Sequence, residues 1–308
     1  MANKLFLAVL RILLGLLFIL SGYLKLYPIE PFELNFIDLG ISNWYTAPFV
    51  ARLLISSEFL LGLLLVFNLV TKKFTLPATI VLLIIFSLYL LVQLVREGNG
   101  GNCGCFGTFL QMTPLESLLK NAMLLSIAWL LLSFHGSYRR KFSGLIISVF
   151  VMVSLITPFI LNPVDLMAAS LRQPQSVNFP FDFSLLRTDS LSNELPVELF
   201  KGRHIVAFFS MTCQHCKTTA FKMHVIEKRH PEVPFFMVLN GKEKSVKPFF
   251  EETKAENIPY MILLGAPFAK ITGGNVPTIY WIEDGIVVRK SLYISLEEDE
   301  ILKWLKDP

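Results

Sequence analysis

Residues 204–217 read HIVAFFSMTCQHCK. The stretch from His204 to Ser210 is short, β-branched and aromatic, which is the pattern of a buried strand. Cys213-Gln214-His215-Cys216 follows it at once, and helical spacing then runs from Cys216 to Arg229. Further along, Pro234 to Leu239 reads as a second strand and Ser245 to Glu256 as a helix. Thr278 to Ile282 and Ile286 to Arg289 form a hairpin around Glu283-Asp284-Gly285, and Leu296 to Lys306 closes the chain as a helix. Strand, helix, strand, helix, hairpin and helix is an α/β order. On the amino-terminal side, the proline-dotted stretch from Asn162 to about Pro180 reads as a linker.

Everything before that linker has a different character. The 308 residues are 53% hydrophobic and 17% charged, against about 25% charged in an average soluble domain, so an ordinary cytosolic enzyme is excluded. Apolar runs extend from Leu5 to Leu26, Phe49 to Val70, Leu76 to Val95, Leu115 to Phe134 and Phe142 to Leu161, each near the ~20 residues that cross a bilayer. About five transmembrane helices are expected. The first is too long for a signal-peptide core and no small-residue cleavage site follows it, so it reads as an anchor. Pro48 and Pro77 suit first helical turns, and Thr113-Pro114-Leu115-Glu116 reads as a capping box.

The net charge of +4 divides into +5 over residues 1–164 and −1 over residues 165–308, which points to membrane orientation and away from a nucleic-acid patch. Lys4, then Lys72 and Lys73, then Arg139, Arg140 and Lys141 mark alternate helix ends. Short loops rich in such residues stay in the cytoplasm. The amino terminus is therefore expected inside, with the loop between the third and fourth spans and the whole tail outside.

The chain's four cysteines form two close pairs, Cys103-Gly104-Cys105 and Cys213-Gln214-His215-Cys216, and the topology puts both pairs on the exterior. Cys213 closes a strand and opens a helix, where the helix dipole favours a thiolate. Cys216 stands one turn on, placed to resolve a mixed disulfide, and a positive His215 would stabilise the reduced form. A helix-capping disulfide or half a zinc site is the other reading of this pair. For Cys103/Cys105, in a glycine-rich turn, a strained and easily reduced disulfide, a copper or zinc site and a purely structural loop stay open. His204, His224 and His230 are expected at the surface.

Val206-Ala207-Phe208-Phe209-Ser210 running into Cys213-Gln214-His215-Cys216-Lys217, with Val276-Pro277-Thr278 before the hairpin, resembles the membrane-tethered TlpA-like branch of the thioredoxin superfamily over residues 183–308. The resemblance implies a redox-active Cys213/Cys216 couple and a cis Pro277 beside it. Ala207 departs from the buried acid common in that superfamily, and Thr212 from its tryptophan. Arg11, Gly15, Phe18, Ser21-Gly22 and Lys25, with Cys103-Gly104-Cys105-Phe106-Gly107, resemble the MauE branch of the DoxX-like membrane proteins over residues 1–135. That resemblance implies a four-helix membrane domain and a part in maturing a disulfide-rich amine dehydrogenase. Residues 136–182 then hold the fifth span and the linker.

Ionisable groups within spans are costly and are functional candidates by default. With alternate helices reversed, Lys25, Glu58 and Asn121 fall, with Ser21, Ser56, Ser57, Gln93 and Lys120, in the outer half of the bilayer beneath the Cys103/Cys105 loop. Arg11 lies toward the inner side. Lys25, Glu58 and Asn121 could serve a quinone headgroup, with Glu58 moving protons; the competing reading is a structural ion pair of Glu58 with Lys25 or Arg52. The expected protein is an α-helical multi-pass bundle plus a thioredoxin-like α/β domain in an inner membrane, with that domain periplasmic. Its expected chemistry is thiol–disulfide exchange relayed between Cys213/Cys216 and Cys103/Cys105, serving extracytoplasmic protein thiols. No covalently bound cofactor or resident metal is expected, and quinone is the candidate carrier. The alternatives are a tethered reductase whose membrane half only anchors, and a copper- or zinc-handling membrane protein.

Overall fold

The computed structural model describes residues 4–100, 112–134, 143–164, 174–187 and 197–307. Cys103, Cys105 and the basic stretch 139–141 lie outside the described residues. The chain divides into two compact units, Met1–Val164 and Asp165–Pro308; the fifth span belongs to the first.

The first unit contains α1 (Lys4–Leu26), α2 (Glu30–Asp38), α3 (Ala47–Val66), α4 (Leu76–Glu97), α5 (Pro114–Phe134) and α6 (Ser143–Leu161). All but α2 are long and apolar enough to cross a membrane, five such helices among the described residues. Proline occupies the first turns of α3 and α4. At α5, the Thr113 N–H donates to Glu116 Oε2 and the Glu116 N–H to Thr113 Oγ1, at 2.9 and 3.3 Å. The short helix α2 did not show in the sequence, because one buried face of nine residues is a weak periodic signal.

Helices α1 and α3 run antiparallel and touch at backbone level, because neither Gly15 nor Gly62 carries a side chain. A β-carbon on Gly15 would come within 2.8 Å of the Gly62 carbonyl oxygen, and one on Gly62 within 2.6 Å of Ile19 Cγ1. Close approach of this kind is how helices associate where lipid removes the hydrophobic drive. At one end of the pair, buried Arg11 donates to the Leu65 and Val66 carbonyls that close α3, complementing the negative end of that helix. Exposed Lys72 and Lys73 follow at the same end.

At the opposite end, buried Arg52 ties three segments together. Its guanidinium donates to Glu33 Oε1 on α2 at 2.5 Å, to the Pro48 carbonyl at 2.7 Å and to the Asn162 carbonyl beyond α6 at 2.7 Å. Asn162 Nδ2 in turn donates to the Leu26 carbonyl at 3.1 Å. Arg96, in the last turn of α4, donates to the Leu39 carbonyl at 2.8 Å, and the Leu115 N–H donates to Asn99 Oδ1 at 3.0 Å. The chain thus leaves α6 at the bundle end that also carries α2, the end of α4 and the start of α5.

The second unit is built on a six-stranded sheet. Its strands are β1 (Gln175–Pro180), β2 (Arg203–Ser210), β3 (Phe235–Asn240), β4 (Tyr260–Ile262), β5 (Thr278–Glu283) and β6 (Ile286–Ser291). They lie in the order β1-β6-β5-β2-β3-β4. Strands β2, β3 and β4 are mutually parallel, whereas β5, β6 and β1 pair antiparallel. Helices α7 (Gln214–Arg229), α8 (Val246–Thr253), α9 (Ala266–Thr272) and α10 (Glu298–Lys306) complete it. This is a thioredoxin-like arrangement. Its central strands are buried on both faces, Val206, Phe208, Val238 and Ile282 on one and Ala207, Phe209, Met237 and Trp281 on the other, so they read as continuous apolar runs.

Residues 175–180, assigned above to the linker, form the edge strand β1 on β6, and Phe181 enters the core. The sheet therefore begins before residue 183. Strand β1 is exposed along most of its length, so no alternation marks it. His224 is also a correction to the expectation of surface histidines: it is 9% exposed and stacks on Phe221 at 6.2 Å.

Gly62→Ala is expected to cost about 1–3 kcal/mol of bundle stability by forcing α1 and α3 apart, read as a lower thermal midpoint in detergent. Gly144→Ala, with open space around it, is the control and should leave the midpoint unchanged or slightly raised.

Candidate functional site

Strand β2 ends at Ser210, and three residues later Cys213 caps α7 in extended conformation (φ −82°, ψ 124°). Its N–H donates to the Ser210 carbonyl at 3.1 Å, and its own carbonyl accepts from the Lys217 N–H at 3.1 Å. The Cys213 side chain therefore stands at the turn whose backbone N–H groups have no helical partner. Cys213 is partly exposed, Cys216 is fully buried, and both are free thiols. Burial pushes the Cys216 thiol well up, and a hydrogen bond to the Cys213 sulfur adds to this. The two sulfurs are thus unlike: Cys213 is accessible, whereas Cys216 is enclosed and holds its proton tightly.

The Val276–Pro277 bond is cis. Phe208 pairs with Thr278 in the antiparallel register of β2 and β5, which carries Pro277 to the end of β2, from which the cysteines emerge. His215 is exposed on the first turn of α7, its ring 4.7 Å from that of Tyr293 at an interplanar angle of 31°. Tyr293 was not legible in the sequence, since it comes from a single turn after β6, far along the chain. Lys217, next to Cys216, pairs with Glu252 of α8 at 2.9 Å.

In the membrane unit, Lys25 and Glu58 meet in a buried ion pair at 2.6 Å, their side chains 4% and 3% exposed. Ser21 bridges them, accepting from Lys25 Nζ at 2.7 Å and donating to Glu58 Oε1 at 3.1 Å. The Lys25 ammonium lies 5.6 and 5.2 Å from the ring centroids of Phe32 and Phe86. Arg52 goes to Glu33 instead of Glu58. Asn121 does not join the pair in a direct contact: its amide donates to Ser87 Oγ at 3.4 Å. Phe86 and Ser87 are neighbours on α4, however, so Lys25 and Asn121 reach α4 at one depth. Glu58 Oε2 and Gln93 Oε1 are buried without a hydrogen-bond partner among the described residues.

Comparison with known proteins bears on both units. Residues 3–134 match the family model described as methylamine utilisation protein MauE. The curated relative Protein TlpB of Flavobacterium psychrophilum is 26% identical over 324 residues, covering 89% of this chain and 88% of the relative. Among solved structures, the thioredoxin domain of a thiol-disulfide oxidoreductase from Bacteroides vulgatus is 16% identical, covers 44% of this chain and 96% of its own, and has a TM-score of 0.30. A thiol:disulfide interchange protein from Bacteroides sp. is 17% identical, with coverage of 44% and 91% and a TM-score of 0.33. The chain is a multi-pass membrane protein whose residues 3–134 are similar to the MauE family, and its carboxy-terminal unit has a thioredoxin-like fold.

Native alkylation with iodoacetamide near neutral pH is expected to modify Cys213 and spare Cys216 until the domain is unfolded, read by peptide mapping. Because Cys216 binds its proton more tightly folded than unfolded, its contribution to the stability of the reduced form is complete below the ordinary thiol range, about pH 8.5, and is lost as pH rises above it. The thermal midpoint of the reduced chain should therefore fall more steeply above that range than that of Cys216→Ala.

Proposed function

We propose that this chain is a membrane thiol–disulfide oxidoreductase that draws electrons from extracytoplasmic protein dithiols through Cys213/Cys216 and passes them to Cys103/Cys105. The observation that carries the reading is the asymmetry of the first couple, an accessible sulfur at a helix start above a buried thiol. On this reading the amino terminus is cytoplasmic, and the thioredoxin-like domain and the Cys103/Cys105 loop are extracytoplasmic. The catalytic groups are Cys213, Cys216, Cys103 and Cys105, with His215 and Pro277 shaping the approach to Cys213.

A client thiolate attacks Cys213 of the Cys213–Cys216 disulfide; that bond breaks and Cys216 leaves, taking up a proton. The second client thiolate attacks the mixed disulfide and releases Cys213, so the client is oxidised by two electrons and the domain holds the dithiol. Cys213 then attacks the Cys103–Cys105 disulfide, and Cys216 resolves that adduct. Cys103 and Cys105 are left reduced and the domain disulfide is restored.

Lys25, Glu58 and Asn121 would receive a quinone. The orphaned buried Glu58 Oε2 fits such a ligand, as does the ammonium held between aromatic rings. A quinone bound there would supply a sink for two electrons and two protons. Lys25 would donate a hydrogen bond, and Glu58 would hold and pass a proton at Oε2. The MauE description makes a protein of amine utilisation one candidate client.

Expression of Cys216→Ser in the native membrane tests the relay. A disulfide adduct linking Cys213 to Cys103 or Cys105 is expected by non-reducing electrophoresis and mass spectrometry. Adducts with external proteins alone, with Cys103 and Cys105 reduced throughout, would overturn it. A membrane-impermeant maleimide should reach both couples in spheroplasts once they are reduced and exposed by denaturant. Labelling of one couple only would contradict the shared extracytoplasmic side.

A further inference from the structure

The segment that carries Tyr293 is held at both ends. On one side, buried Ser291 accepts a hydrogen bond from Trp281 Nε1 at 2.8 Å. On the other, Glu297 pairs with Lys222 of α7 at 3.3 Å. One residue further, Glu298 takes His230 at 2.9 Å and Arg229 at 3.3 Å, both at the end of α7. Between these anchors the Leu292 N–H donates to Ser295 Oγ at 3.0 Å, and Ser295 and Leu296 are buried. The strap is thus fixed against the helix that begins at the cysteines, and what it presents to the first turn of that helix is the Tyr293 ring.

His215 is the histidine between Cys213 and Cys216, and its ring is exposed. An imidazole on an exposed first turn would ordinarily sample several rotamers and spend little time beside any one neighbour. Packing at 4.7 Å against a ring carried by this anchored segment selects among them. Aromatic pairs in this geometry hold each other beyond simple burial, and the face of a tyrosine also favours a cationic partner.

We infer that Tyr293 is a positioning residue for His215, fixing the imidazole beside the Cys213/Cys216 couple and thereby setting how readily that couple accepts electrons. The inference rests on the redox reading of the couple given above. Tyr293 touches neither sulfur in this role; it acts through the ring it holds. On this inference a held imidazole favours the reduced form of the couple, so freeing it makes the domain a weaker oxidant.

The test uses the full-length chain with Cys103→Ser and Cys105→Ser, so that a single couple titrates against glutathione buffers. Tyr293→Ala is expected to shift the exchange equilibrium toward the reducing side by about five-fold. Tyr293→Phe, which keeps the ring, should stay within about two-fold of the parent, showing that the strap still folds. In a His215→Ala background, Tyr293→Ala should have no further effect. An equal shift with and without His215, or no shift with His215 present, would overturn the inference. Failure of the parent couple to exchange with glutathione at all would instead remove the oxidoreductase reading on which it rests.

Discussion

Cys216 is dry and Cys213 is wet, and this difference arises at the junction of β2 and α7. Strand β2 is central, buried on both faces and aligned with β3 and β5, so its end is a fixed point. The first turn of α7 must then carry one cysteine at the surface and, three residues on, the other into the core beneath. Nothing flexible separates the sulfurs from the sheet. The same register brings Pro277 to the mouth of the site, and the end of the β5–β6 hairpin leads directly into the strap that carries Tyr293.

The membrane unit obeys a different constraint, since lipid gives its helices no hydrophobic reason to associate. Helices α1 and α3 meet backbone on backbone at Gly15 and Gly62, and the polar groups are sorted on either side of that contact. Arg11 satisfies the carbonyls that end α3, and its burial is explained by that bonding. Arg52 likewise joins α2, α3 and the end of α6. Lys25 and Glu58 have less structural excuse. A buried ion pair is often no more stable than apolar residues of the same size, and this one leaves an oxygen of Glu58 without a partner among the described residues. On the proposed reading the pair is held for its chemistry.

Long-range features of the fold were legible wherever a periodic signal ran long enough. Each membrane span was placed to within a few residues, because some twenty apolar residues in a row leave no other reading. Buried strands β2 and β3 were legible for a similar reason. Edge strand β1 was not: its side chains face solvent, and its pairing with β6 is made by backbone groups that sequence does not encode. Strand β4 has only three residues. At the site, Cys213 and Cys216 announced themselves, and the Lys25–Glu58 pair was foreseen as one of the partnerships open to Glu58. Tyr293 was invisible, because a stacked ring donated by a distant turn leaves no spacing to count.

On the proposed reading, the absence of a buried acid at Ala207 changes how protons must move. When Cys216 leaves the disulfide as a thiolate it does so inside the core, where burial strongly favours the neutral form. Among the described residues of this unit the one buried carboxylate is Glu298, and it is engaged by His230 and Arg229 at the start of α10. On this reading the proton comes from the reacting partner. The second client thiol has to lose a proton before it can attack the mixed disulfide, and Cys216 has to gain one. A single transfer between them satisfies both, leaving a nucleophile poised on Cys213 and a neutral thiol below it. Burial of Cys216 thus makes it the group that takes up the client's proton on this reading.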